Sequence, residues 1–261
     1  MLTKNDKFDL PEEFYDFAFM PKFSDNIKQL AGLAESEDWG YQSTESDSDF
    51  PILENYIKHT YKRIAEEKKV SFSDDGKYAC FNTGLLTPNQ EAIFILFNEN
   101  KMVMQSYWHF WKFARKGEHD MRYFSILPDM AYYFDTPIKL VFDPKKNLVV
   151  NYEHIIEDNK ERFQAPYNTM TNYTLINNIK GVIDSALERL KRNYKIAVPQ
   201  YYKNNIQLLL PLCLSNPQVA DLALVVEDYG TMYRSATCLT LDMAINNARL
   251  LAKPDRDWLQ P

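Results

Sequence analysis

KYACFNTGLLTPNQEAIFILFNEN, residues 77–100, places two apolar runs on either side of Thr87-Pro88-Asn89-Gln90. Pro and Asn favour turn backbone, and runs rich in Phe, Ile and Leu favour strands, so the stretch predicts a β-hairpin. Its first arm is interrupted by the polar insert Asn82-Thr83-Gly84. A glycine within a strand marks a bulge or a close approach by another group. The insert is therefore a candidate wall of a ligand pocket.

Elements of both kinds surround this hairpin. Before it, Ile52, Tyr56, Ile57, Tyr61 and Ile64 recur at helical spacing and predict an amphipathic helix over 51–68. After it, residues 102–113, MVMQSYWHFWKF, are dense in aromatics, and their periodicity leaves strand and helix both open. KLVFDPKKNLVV, residues 139–150, predicts a second hairpin turning at Asp143-Pro144, and Asn151 stands where an N-cap would, before a short helix to about Arg162. Leu175, Ile176, Ile179, Val182, Ile183, Ala186, Leu187 and Leu190 form one apolar stripe, predicting a long helix over 173–194. Three strands follow over 195–203, 206–214 and 220–226, the first two joined at Asn204-Asn205. A fourth strand, near 233–238, leads into a last helix over about 239–251. Strands in succession bracketed by helices predict an α+β fold, with a mainly antiparallel sheet built of hairpins and packed by amphipathic helices.

The first 50 residues read differently. Residues 1–23 form an aromatic arm, Ser24 is positioned to cap a short helix to about Glu35, and residues 35–49 predict an exposed acidic loop. These 50 residues hold four Lys/Arg and twelve Asp/Glu, a net of −8, whereas the whole chain of 261 residues carries −6. Residues 51–261 are thus near +2, and the expected organisation is an arm, helix and loop over 1–50 followed by one α+β domain over 51–261. The balance argues against a broad footprint for long nucleic acid but leaves room for a small anionic ligand.

Several classes of function lack their signatures. With seven glycines and no G-x-G-x-x-G or G-x-x-x-x-G-K-[ST], the chain has no glycine-rich phosphate loop, and the sequence names no cofactor. Cys80, Cys213 and Cys238 show neither disulfide nor zinc spacing, so they read as structural thiols and no metal site is expected. No G-x-S-x-G elbow is present. Residues 1–10, MLTKNDKFDL, have no signal-peptide core and no run approaches a membrane span, so the expectation is a cytoplasmic protein without membrane contact.

Three constellations can carry chemistry. On the last helix, Asp242, Asn246 and Arg249 stand at i, i+4 and i+7 and share a face; an arginine there would bind an internal carboxylate or an external phosphate. On the helix after Asn151, His154 and Asp158 stand at i and i+4, an imidazole–carboxylate pair suited to acid–base work. Lys180, Arg189, Lys191, Arg192 and Lys195, with Tyr194, Tyr201 and Tyr202 close in sequence, offer a cationic and aromatic surface for phosphate and base.

The motifs FNTGL (81–85), NYEHIIEDN (151–159), AVPQYY (197–202), QLLLPLCL (207–214), ADLALVV (220–226) and LTLDMAINNARLLAKPDRDWL (239–259) together resemble a bacterial family of domains of unknown function. That family is similar to the C-terminal module of some OST-HTH (LOTUS) proteins, and the resemblance implies RNA or nucleotide handling. The leading expectation is a module binding a nucleotide or short RNA, with Asn82, Thr83, Gly84, Lys195, Tyr201, Asp242, Asn246 and Arg249 around the ligand. One alternative is an enzyme that hydrolyses or processes a nucleotide or RNA end, with His154 as acid–base and Asp158 orienting it. Another is a protein-interaction module in bacterial or phage defence, working through the acidic loop and aromatic arm. The sequence leaves the oligomeric state open.

Overall fold

A computed structural model describes residues 7–43, 47–101, 106–134 and 136–253. The chain is α+β and divides into two compact units, residues 1–41 with 45–132 and residues 42–44 with 133–261. The division expected at residue 50 falls inside the first unit.

The first unit is built from α1 (Phe14–Phe17), β1 (Ala18–Phe19), α2 (Phe23–Leu33), α3 (Pro51–Glu66), β2 (Ser71–Phe72), β3 (Tyr78–Leu86), β4 (Ala92–Glu99) and β5 (Trp108–Arg115). Its sheet runs β1-β5-β4-β3-β2, with β1 parallel to β5 and the other pairs antiparallel. The aromatic run around Trp108 is thus strand, and residues 102–105 lie outside the described residues. Pro51 opens α3 at a first-turn position, where its missing N–H is not needed. The buried face of α3 brings Tyr61 to Phe17, stacked at 4.9 Å, while Phe81 stacks on Phe97 at 5.7 Å. The arm is therefore part of the core, with Phe14 and Phe17 almost wholly buried. The cap of α2 is Lys22, in left-handed backbone, and Ser24 donates instead to Glu54 at 3.1 Å. Within the acidic loop Trp39 is buried, so one residue of that loop anchors it.

The second unit contains β6 (Asn147–Val150), α4 (Tyr152–Asn159), α5 (Asn172–Leu190), β7 (Val198–Tyr202), β8 (Asn205–Leu212), β9 (Leu222–Asp228), β10 (Met232–Leu239) and α6 (Leu241–Leu251). Its sheet runs β6-β10-β9-β8-β7, antiparallel except that β6 is parallel to β10. Strand alternation sends Leu208, Leu210, Leu212, Leu222, Leu224 and Val226 to one face, against α4 and α5. Gln207, Leu209 and Val225 point to the other face, where α6 lies across β7.

Two expectations are corrected here. Residues 139–150 form no hairpin. Asp143 does make its turn, accepting from Lys145 N at 2.9 Å, but Pro137–Leu140 is a short 3-10 turn. The apolar side chain before the turn that stays buried is Phe142, stacked on Tyr233 at 4.4 Å, and β6 gives its edge to β10 rather than to its own preceding arm. The β7–β8 turn is Lys203-Asn204, both at positive φ, with Asn205 already paired to Tyr202. A two-residue hairpin turn needs left-handed backbone at both positions, and Lys203 supplies the first.

Candidate functional site

The polar insert of β3 is a bulge, with the register to β4 shifting between Asn82 and Leu86. Asn82 Oδ1 accepts from Gly84 N at 2.9 Å, and Thr83, fully buried, donates to Ile93 O at 2.6 Å. Tyr56 OH donates to Thr83 O at 3.0 Å. Gly84 has φ +75°, and a Cβ there would lie 2.7 Å from the Tyr56 oxygen. The insert thus bonds in part to itself and receives a helix side chain.

β10 carries the second unit's bulge, where the register to β9 shifts between Arg234 and Thr237. α4 and its cap hold it in place. Asn151 N donates to Ser235 O at 2.8 Å, and Thr237 donates to Asn159 Oδ1 at 3.0 Å. Beside it a cavity of about 420 Å³ opens, floored by Val149, Val150, Val225 and Ala236 and edged by Asn151, Glu227, Tyr229, Arg234, Ser235 and Thr237.

The polar groups of this cavity are unequally satisfied. Glu227 Oε1 accepts from Gln207 Nε2 at 2.8 Å and Oε2 from Tyr229 OH at 3.2 Å. Arg234 stands directly across the ladder from Glu227, yet makes no ion pair among the described residues. Its guanidinium lies 5.5 Å from the Tyr229 ring centre. The hydroxyl of Ser235 is buried and has no hydrogen-bond partner among the described residues. A buried hydroxyl without a partner costs about 1–3 kcal/mol, so Ser235 marks a polar group that the bulge leaves unsatisfied.

The sequence-predicted residues lie as follows. Asn82, Thr83 and Gly84 belong to the first unit, and the other seven to the second. Asp242, at the start of α6, accepts from the backbone N of Gln42 and Ser43 and holds that segment. Asn246 and Arg249 follow on the same helix, half-buried, and Arg249 already has an interaction partner. Lys195, also engaged, edges a second cavity of about 310 Å³ that is otherwise lined mainly by apolar groups of β7 and α6. Tyr201 packs edge-on to Tyr133 at 4.7 Å. His154 Nδ1 and Asp158 Oδ2 are 3.3 Å apart on the exposed face of α4, and neither residue lines either cavity. At the end of α5, Lys191 and Arg192 both pair with Glu188, and Arg189 donates to Pro217 O, so that cationic surface is largely committed internally.

Glu227, Tyr229, Arg234 and Ser235 escaped sequence reasoning. Their signal was there in part, because polar Gln200, Gln207 and Glu227 interrupt otherwise apolar strands at matching register. Among the described residues no group of three or more His, Cys, Asp or Glu side chains could hold a metal ion, and no helix is long and apolar enough to cross a membrane.

No curated protein and no solved structure matches the chain. A family described as a domain of unknown function, DUF3825, matches residues 30–258, a span that includes the polar insert of β3, the bulge of β10 and every residue of both cavities. The chain belongs to that DUF3825 family.

Proposed function

We propose that the second unit is a binding module for a nucleotide or short RNA, seated in the cavity beside the β10 bulge. The observation that carries this reading is Arg234. Its cross-strand carboxylate, Glu227, accepts from Gln207 and Tyr229 and makes no ion pair with it among the described residues, which leaves the guanidinium to bind an anion from outside. A guanidinium binds phosphate with two parallel hydrogen bonds, and the Tyr229 ring, 5.5 Å away, adds a cation–π contact. The exposed Tyr229 ring offers a surface for a base. The cavity falls within the usual range for small-molecule sites, about 300–1,000 Å³. The resemblance to the module found in OST-HTH proteins supports the same class of ligand.

The enzymatic alternative has less support. A His–Asp pair acts on a substrate only where a cleft holds that substrate against it, and His154 and Asp158 edge neither cavity.

Titration of the full chain with ribonucleoside monophosphates and a short oligoribonucleotide tests the proposal. Arg234→Ala should weaken binding at least tenfold and Arg234→Lys less, since lysine keeps the charge but loses the fork. Arg234 is exposed, so both variants should melt like the parent. Unchanged binding in Arg234→Ala, or no binding by the parent, would sink the reading.

A further inference from the structure

Behind the cavity runs a chain of side-chain hydrogen bonds. Asn247 Nδ2 on α6 donates to Gln200 Oε1 at 3.1 Å, and Gln200 Nε2 donates to Gln207 Oε1 at 2.7 Å. Gln207 Nε2 then donates to Glu227 Oε1 at 2.8 Å. Gln200 and Gln207 are 1% and 7% exposed, so their amides have no water to turn towards. Each link donates in the same direction, from α6 through β7 and β8 to β9. Reversing one amide would set donor against donor at one end and acceptor against acceptor at the other.

The end of the chain is thereby fixed in character. Glu227 must be an acceptor, and its two oxygens offer about four lone-pair directions, of which Gln207 and Tyr229 use two. Glu227 lines the cavity, so its free lone pairs are available to whatever sits there. A ligand group beside Glu227 must donate a hydrogen bond, and a phosphate placed there would meet like charge. Arg234 makes the opposite demand. The two residues are direct cross-strand partners, a register that puts their Cβ atoms about 5 Å apart. The cavity thus asks for a hydroxyl donor and an anion a few ångströms from each other on one ligand.

Resting on the nucleotide reading above, we infer that the cavity selects ribonucleotides over 2′-deoxyribonucleotides by reading the sugar hydroxyl at Glu227 while Arg234 holds the adjacent phosphate. A 2′-hydroxyl beside a 3′-phosphate presents the required pair on neighbouring carbons, and the deoxy sugar lacks the donor. The amide chain serves to position Glu227: it keeps one oxygen occupied and the carboxylate facing the cavity.

The test compares a ribonucleoside 3′-monophosphate with its 2′-deoxy counterpart on the full chain by titration. The parent should prefer the ribo form about tenfold or more, the usual worth of a hydrogen bond to a charged group. In Glu227→Gln, a near-isosteric change, the ratio should fall towards one while affinity for the deoxy form holds. Equal binding of both sugars by the parent, with both lost in Arg234→Ala, would overturn this inference and leave the nucleotide site standing. A preference that persists undiminished in folded Glu227→Gln would overturn it too. Absence of binding to either sugar would remove both readings together.

Discussion

Each sheet of this protein contains a β-bulge flanked by polar side chains, and the two bulges end in opposite states. In β3, the Asn82 and Thr83 side-chain oxygens and the Thr83 carbonyl find partners in neighbouring backbone or in Tyr56. In β10, the bulge leaves a buried hydroxyl without a partner and a guanidinium without a carboxylate, both at the edge of a cavity. Polarity inside a strand is therefore not evidence of a site. What distinguishes the second bulge is that the buried Ser235 hydroxyl and the exposed Arg234 guanidinium both stay unpaired among the described residues, and an unpaired polar group in a buried setting is costly.

The comparison is broken most severely at Gly84. Alanine there must hold a left-handed φ and collide with the Tyr56 oxygen, so Gly84→Ala should destabilise the protein by about 2–4 kcal/mol in urea unfolding. Tyr56→Phe removes the obstructing oxygen and a hydrogen bond, at about 1 kcal/mol by itself. The glycine substitution should cost clearly less in that background. Additive effects of the two changes would mean that the bulge is not closed by Tyr56.

How far the sequence revealed this contrast depends on the range of the interactions involved. The hairpin of residues 77–100, helix α3 and helix α5 were legible because their apolar spacing is a local property. The Asn151 cap was legible for the same reason, its Oδ1 accepting from His154 N three residues on. The hairpin over 139–150 failed because β6 pairs with β10, about 85 residues later, and no local turn signal reports that choice. Arg249 looked like the anion binder because it interrupts an apolar helix, yet it is engaged internally. Arg234, exposed on a strand, looked ordinary. Its proposed role rests on Glu227 accepting from Gln207, 20 residues away, which requires three strands in register before it can be seen.

A smaller effect should come from cutting the amide chain. Gln207→Leu strands Gln200 Nε2 and one oxygen of Glu227, and loss of such buried partners costs about 1–3 kcal/mol. Thr83→Val in the first sheet removes comparable buried bonds. The two variants should separate in function. Gln207→Leu should lower the ribo-to-deoxy ratio, because Glu227 is released, whereas Thr83→Val should leave that ratio where it was. If both variants alter the ratio equally, the second bulge has no special status.

The smallest effect concerns the turn that carries Tyr229 between β9 and β10. Lys146 Nζ lies 2.8 and 2.9 Å from the two oxygens of Asp228, whose Oδ1 also accepts from Gly230 N at 2.8 Å. Burial alone would raise the Asp228 pKa, but the bonds from Lys146 and Gly230 outweigh it and hold the carboxyl below its ordinary value, while Lys146 is raised by the same pairing. A carboxylate depressed in the folded state contributes stability above its unfolded pKa of about 4 and loses it as pH falls through the lower folded value. The raised lysine acts at the other limb, its contribution fading only as pH climbs past about 10. Asp228→Asn keeps an acceptor for Gly230 and removes the charge. The melting temperature of this variant should lie slightly below the parent at pH 6–8, and the gap should close as pH falls from 4 to 2.5. A gap that stays constant into acid would show that the pair contributes through its shape alone, and that the Tyr229 turn is held without charge.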